Sequence, residues 1–240
     1  MLGPESALAQ PALVFPTRED PALAVRIAAT REEVLEASQR MLQLGLVVAV
    51  WGNVSARVPG SDLVVITPSG VEYDHLVAEN MSVLELESGA RVEGRLKPSS
   101  ELRLHLTIYR ARPDVGGVVH THSLYASAFA VVRQTIPPIV EDAAQVLGGS
   151  VECAEYGAPG TQDLAYKAVR TLGPKNAVLL ANHGLVGVGP TVKEALRVCQ
   201  VVEKAAHIQA LARRLGDPVV LSDSQVADLR HAYRTSYGQK

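Results

Sequence analysis

From Val34 to Leu44 apolar residues recur at helical spacing, with Val34, Leu35, Met41, Leu42 and Leu44 on one side. Thr30 followed by Glu33 reads as a capping box that opens this helix, and Gly45 closes it. The pattern then changes to short apolar runs of strand type. "VVAVWGNVSARV" and "LVVITPSG", joined by "PGSD", predict one hairpin. "MSVLELESGARVEG" predicts a second, turning at Ser88-Gly89. "KPSSELRLHLTIYRAR" returns to helical spacing, with Leu102, Leu106 and Ile108 or Tyr109 facing inward. A short buried strand ends at His120, and a helix over about 123–132 follows.

"IPPI" is held extended by its prolines, and "AAQVLGG" is a short helix closed by glycines. "VECAEY" is a strand, and "TQDLAYKAVRTLG" a helix with Thr161 as N-cap. "AVLLANHGLVGVG" splits into two strands around Asn182-His183-Gly184. A long helix capped by Thr191 and Glu194 comes next, and "DSQVADLRHAYR" is the last helix. Hairpins and crossovers occur together. The expectation is a layered α/β fold on a mixed, mostly antiparallel sheet. Residues 1–29 read as an N-terminal tail or arm, and 30–240 as the domain.

Composition narrows the function. The 240 residues are 47% hydrophobic, enough for one sizeable core. With 20% charged residues and a net charge of -2, the chain has no global attraction to nucleic acid or an anionic membrane. An aromatic content of 4% disfavours base-stacking platforms. No apolar run approaches the ~20 residues of a membrane span. Cys153 and Cys199 are far apart and outside any CxxC, which suits a reducing compartment. The expected location is the cytoplasm.

The chemistry begins at "VVHTHS". Side chains alternate along a strand, so His120 and His122 point the same way. Their Cα atoms would stand roughly 6.5 Å apart at about 3.3 Å per residue. Two imidazoles can then converge on one ion at about 2.0–2.1 Å each. Of the other histidines, His105, His207 and His231 sit on predicted helices and read as surface or internally satisfied groups, and His75 as exposed. His183 differs: it stands between apolar strands beside a glycine that permits close backbone approach. Three histidines with an open position make a catalytic zinc pattern, with manganese, cobalt or iron also compatible.

Three small-residue loops lie upstream: Gly52-Asn53, Thr67–Gly70 with Ser69, and Ser99-Ser100. Each offers backbone N–H groups, hydroxyls or an amide that can cradle a phosphate. Taken singly, each is ordinary turn and capping chemistry. A phosphate cradle together with a metal defines an enzyme for sugar phosphates. Glu101 follows the serines; it either compensates the helix dipole or faces the metal as ligand or general base.

"GNVSAR", "TPSG", "KPSSE", "HTHS" and "NHGL", in this order, resemble the class II aldolase/adducin family over about residues 30–211, most closely its fuculose-1-phosphate aldolase-like enzymes. The resemblance implies a three-layer α/β/α fold and a homotetramer with active sites between subunits. It implies zinc on His120, His122 and His183. It implies phosphate held by Gly52, Asn53, Ser69, Gly70, Ser99 and Ser100, and Glu101 as acid/base.

The expected reaction is cleavage of a ketose 1-phosphate to dihydroxyacetone phosphate and an aldehyde through an enediolate. The family's epimerase branch tends to carry Asp where Glu101 stands, so Glu101 favours carbon–carbon chemistry. At one point the chain departs from the aldolases. They place a tyrosine after the "IP..I" segment; here Glu141 and Asp142 follow. Glu141 is taken as the second catalytic group, with Tyr233 or Tyr237 as another source of a phenol. The rival readings on the same scaffold are a methylthioribulose-phosphate-type dehydratase, a decarboxylase and a ribulose-phosphate epimerase. A non-catalytic adducin-like module is the rival from another class.

Overall fold

The computed structural model describes residues 20–237. Of the expected N-terminal arm, residues 1–19 lie outside it. The first helix, α1 (Pro21–Gln43), starts earlier than the capping pattern at Thr30 suggests. Asp20 is the N-cap, its carboxylate accepting from the Leu23 amide, and Pro21 presets the first turn. Nothing between residues 22 and 29 breaks a helix. Thr30 therefore sits inside α1, where its hydroxyl donates to the Arg26 carbonyl. The boundary expected after residue 29 falls within this helix. Ile27, Val34, Ala37 and Met41 form the buried stripe.

Eight strands make one sheet in the order β4-β3-β2-β1-β5-β8-β7-β6. The first hairpin is β1 (Asn53–Arg57) with β2 (Leu63–Ile66), and the second is β3 (Ser82–Glu85) with β4 (Arg91–Glu93). The segment before Asn53 is a loop rather than strand, with Ala49 at positive φ. Helix α2 (Leu102–Ala111) leads into β5 (Gly117–Thr121), then α3 (Leu124–Val132) and α4 (Glu141–Leu147). Leu104 and Tyr109, rather than Leu102, are fully inward on α2. The "VECAEY" strand shortens to β6 (Cys153–Ala154). It connects through α5 (Gln162–Leu172) to β7 (Ala177–Leu180), the single parallel pairing. β7 turns into β8 (Gly184–Gly189), followed by α6 (Val192–Ala212) and α7 (Asp223–Thr235).

Strand alternation assigns each residue to one of two cores. Val54, Val119 and Leu185 face α1, α3 and α6 with Val34, Met41 and Val202. Val118, Val186 and Val188 face α2 and α5 with Leu104, Ile108 and Leu164. The result is the expected three-layer α/β/α arrangement, with α4 packed outside against α6 and α7 against α4. No helix among the described residues is long and apolar enough to cross a membrane.

Candidate metal centre and active site

The site gathers at one end of the central strands. His120 is the fourth residue of β5 and lies on the α2 side of the sheet, like Val118 two residues earlier. His122 follows the strand end on the same side. His183 comes from the β7–β8 turn, which Asn182 closes in a left-handed conformation. Gly184 lets this turn approach: a Cβ there would stand 2.3 Å from the Thr121 carbonyl oxygen and 3.3 Å from the His120 ring. Gly52, at φ +82, lets the opposite loop pass equally close to the His120 carbonyl.

His120 Nε2 lies 3.0 Å from His122 Nε2 and 3.2 Å from His183 Nε2. The Glu101 carboxylate joins them, with Oε2 3.1 Å from His120 Nε2 and Oε1 3.4 Å from His183 Nε2. Glu101 occupies the N-cap position of α2, yet makes no side-chain cap. Its carboxylate turns into the sheet end and is 92% shielded from solvent. The dipole-compensating alternative thus gives way to the inward one.

The donor set suits a divalent cation. His120 Nδ1–H donates to the Leu185 carbonyl at 3.0 Å, which leaves its Nε2 lone pair facing the cluster. Three ring nitrogens and one carboxylate oxygen lie within 4.8 Å of one another. Glu101 Oε1 and His183 Nδ1 are buried without a hydrogen-bond partner. Nitrogens bound tetrahedrally at about 2.0–2.1 Å would stand about 3.3–3.4 Å apart, close to the spacing seen.

Electrostatics keeps the donors ready. Burial, reinforced by His120, pushes His122 down to about 3 and His183 down to about 4. Both rings are neutral near pH 7. Burial raises the Glu101 carboxyl, but His120, His183 and the Asn53 amide outweigh it and hold the group well below the usual carboxylate range. Burial lowers His120, and Glu101 more than reverses this, so its net shift is upward.

The small-residue loops meet beside the cluster. Pro68 and Pro98 form an isolated antiparallel bridge, with Ser69 N–H donating to the Lys97 carbonyl and Ser99 N–H to the Thr67 carbonyl. The Thr67 hydroxyl accepts from the Val54 amide, which ties in the Gly52-Asn53 loop. Ser69, Gly70 and Ser100 are exposed, whereas Ser99 is buried, its hydroxyl accepting from the Glu101 amide. Asn53 is buried too, and its Nδ2 donates to Glu101 Oε2 at 3.0 Å.

Glu141 stands exposed on the first turn of α4 and is not among the converging donors of this chain. Asp142 is paired with Lys204. Tyr233 accepts from Arg197 and packs beside Tyr237 on the far helix α7. His75 is exposed, as are His207, stacked on Tyr125, and His231. His105 is the histidine that pattern reading undervalued: it is fully buried between α2 and β1. The available signal was its spacing, four residues after Glu101 and four before Tyr109 on one helix face.

An α/β/α fold with a three-histidine, one-carboxylate cluster at a sheet end, flanked by small-residue loops, defines a protein whose side chains could hold a divalent cation. The chain belongs to the class II aldolase and adducin N-terminal domain family, whose model matches residues 32–210. It is 37% identical over 210 residues to 5-deoxy-D-ribulose 1-phosphate aldolase of Bacillus thuringiensis, covering 88% of this chain and 97% of that one. It is 34% identical over 207 residues to L-fuculose phosphate aldolase of Escherichia coli, covering 86% and 94%. A solved L-fuculose 1-phosphate aldolase superposes with a TM-score of 0.83 at 32% identity, covering 86% of this chain and 96% of that chain.

Proposed function

We propose that the protein is a metal-dependent aldolase that reversibly cleaves a ketose 1-phosphate to dihydroxyacetone phosphate and an aldehyde. The observation that carries this reading is the convergence of Glu101 with His120, His122 and His183 in one cluster, the first two buried and the last two half-buried. His120, His122 and His183 would hold the ion, zinc by preference for imidazole donors, with manganese or cobalt as alternatives. Such an ion, when bound, supplies Lewis acidity toward the substrate's carbonyl and hydroxyl oxygens.

The chain's own groups do the rest. The bond between the third and fourth carbons of the ketose breaks, its electron pair stays on the third carbon, and that carbon gains a proton. In the synthetic direction Glu101 removes this same proton. Its placement suits that role, since the carboxylate turns into the histidine cluster with one oxygen anchored by the Asn53 amide. The exposed groups at Ser69, Gly70 and Ser100 and the half-buried Gly52, with Asn53 and Ser99 behind them, would hold the phosphate. Glu141 of a neighbouring subunit would take the proton of the hydroxyl on the fourth carbon.

That assignment requires a neighbouring copy of the chain, which we take to be a subunit of a homotetramer, and the apolar surface around the cluster supports such a contact. Trp51 is 61% exposed although its ring stacks toward His122; Val48, in the same loop, and Leu124, the first residue of α3, are 73% and 72% exposed. Deoxyribulose and fuculose 1-phosphates are the first substrates to try, and a cytoplasmic location completes the reading.

The test is release of dihydroxyacetone phosphate from a panel of ketose 1-phosphates, by wild type and Glu101→Gln at matched metal content. Loss of a general base costs typically ~10²–10⁴-fold. We expect a loss in that range with KM little changed. Equal turnover by the variant would overturn the assignment of Glu101, and water loss, carbon dioxide or an epimer as product would overturn that of the reaction.

A further inference from the structure

Two polar stripes face each other behind the site. Glu101, His105 and Tyr109 recur every fourth residue along α2, and Asn53 and Ser55 alternate along β1 on the facing side of the sheet. Ser55, His105 and Tyr109 are completely buried, and Asn53 and Glu101 nearly so. Buried polar groups of this kind are paired as a rule, and here the partners come from the same set.

They form one chain. Tyr109 Oη lies 2.9 Å from Ser55 Oγ, which in turn lies 2.6 Å from His105 Nδ1. His105 Nε2 meets Asn53 Oδ1, and Asn53 Nδ2 reaches Glu101 Oε2. The Glu101 end sets the direction. A carboxylate can only accept, so the Asn53 amide must present its NH2 group to Glu101 and its Oδ1 to His105. One assignment follows from this end: the His105 proton sits on Nε2 and goes to Asn53 Oδ1, Ser55 donates to Nδ1, and Tyr109 donates to Ser55. The ring is neutral, pushed by burial down to about 3. The other neutral tautomer would require the Asn53 amide to flip and set its oxygen against Glu101.

We propose that Tyr109, Ser55 and His105 are a one-way hydrogen-bond relay that locks the Asn53 amide with its NH2 toward Glu101, making His105 a positioning residue for the catalytic carboxylate. The relay rests on Glu101 being the proton carrier, as argued above. Its function is to keep Glu101 Oε2 fixed on the Asn53 amide, so that the other oxygen, Oε1, which makes no hydrogen bond within the fold and lies 3.4 Å from His183 Nε2, is held toward the histidine cluster where the substrate would bind. A histidine does this where a leucine would fill the same volume, because only a ring with one donor and one acceptor passes the direction across from β1 to α2 and back.

The test combines ring ¹⁵N NMR on protein with labelled histidine and kinetics of Ser55→Ala, which removes the donor three hydrogen bonds away from Glu101. In wild type His105 is expected as the neutral Nε2–H form at pH 7, without substrate present. In Ser55→Ala the ring should become a mixture of both neutral forms. Its kcat should fall by ~10–100-fold, the range typical of lost outer-shell support, with KM and metal content unchanged. Tyr109→Phe, which keeps the ring packing, should lower kcat in the same direction, and it serves as the second variant should Ser55→Ala fold poorly. An Nδ1–H form in wild type, or undiminished kcat in a folded, metal-loaded Ser55→Ala or Tyr109→Phe, would overturn the relay. The tautomer is read without turnover, so a chain that cleaves no sugar phosphate would sink the proposed function and leave this reading to stand or fall on the NMR.

Discussion

Asn53 and His120 sit directly opposite each other in the β1–β5 ladder and both reach the same oxygen of Glu101, at 3.0 and 3.1 Å. A pair set by strand register thus clamps a carboxylate delivered by a helix from the next layer. The site is held by the sheet, and its properties follow from how tightly these groups are packed.

Removing a bound metal should destabilise the fold. Without a cation, ring nitrogens 3.0 and 3.2 Å apart and a buried carboxylate oxygen lose their common partner. At a free metal concentration 100 times Kd, binding contributes about 2.7 kcal/mol, or roughly 5–10 °C in Tm for a domain of this size. Thermal unfolding with chelator, then with zinc restored, measures it. A His183→Ala variant should show no zinc-dependent shift. A wild-type Tm indifferent to chelator and added metal would contradict the assigned ligands.

Gly184→Ala should damage fold and site together. The added methyl would meet the Thr121 carbonyl at 2.3 Å and press on the His120 and His122 rings. Overpacking of this kind costs about 1–3 kcal/mol. Gly216, whose added Cβ meets nothing within 4 Å, is the control. Urea unfolding and zinc content of the two alanine variants should separate clearly, and equal behaviour would show that the turn relaxes freely.

Stability should fall as the solution is acidified below about pH 6.5, in part through His105. Its folded-state value is about 3, against 6.5 for the free side chain. The unfolded chain binds the extra proton between these values, so the His105 contribution is complete above 6.5 and is lost progressively toward pH 3. Each pH unit in this window is worth about 1.4 kcal/mol at most. His105→Gln should be less stable at neutral pH and show a shallower decline with acid. Parallel pH–stability curves for the two proteins would mean that His105 becomes protonated at no cost within the fold.

Much of the molecule was legible without coordinates. Thr161, Thr191 and Gly45 mark helix ends where the structure has them, because capping is a local matter of a few adjacent groups. The same rule misread Thr30, since Asp20 and Pro21 make an earlier start and no residue between halts the helix. The strand-like run before Asn53 turned out to be loop. β-propensity reports fitness for a half-buried pleated surface, and those residues have no neighbouring strand to meet.

The sequence by itself determined that His120 and His122 share a side, that Gly184 frees the turn holding His183, and that Glu101, His105 and Tyr109 lie along one helix face. These are consequences of backbone periods of 2 and 3.6 residues, which act over short stretches of chain. Only the tertiary structure decided that the three histidines meet, that Glu101 turns inward instead of capping its helix, and that His105 is enclosed and bonded at both nitrogens. Those outcomes depend on which strands pair and which helix covers them. They are fixed by burial of the two cores and by the need to satisfy every polar group enclosed between the layers.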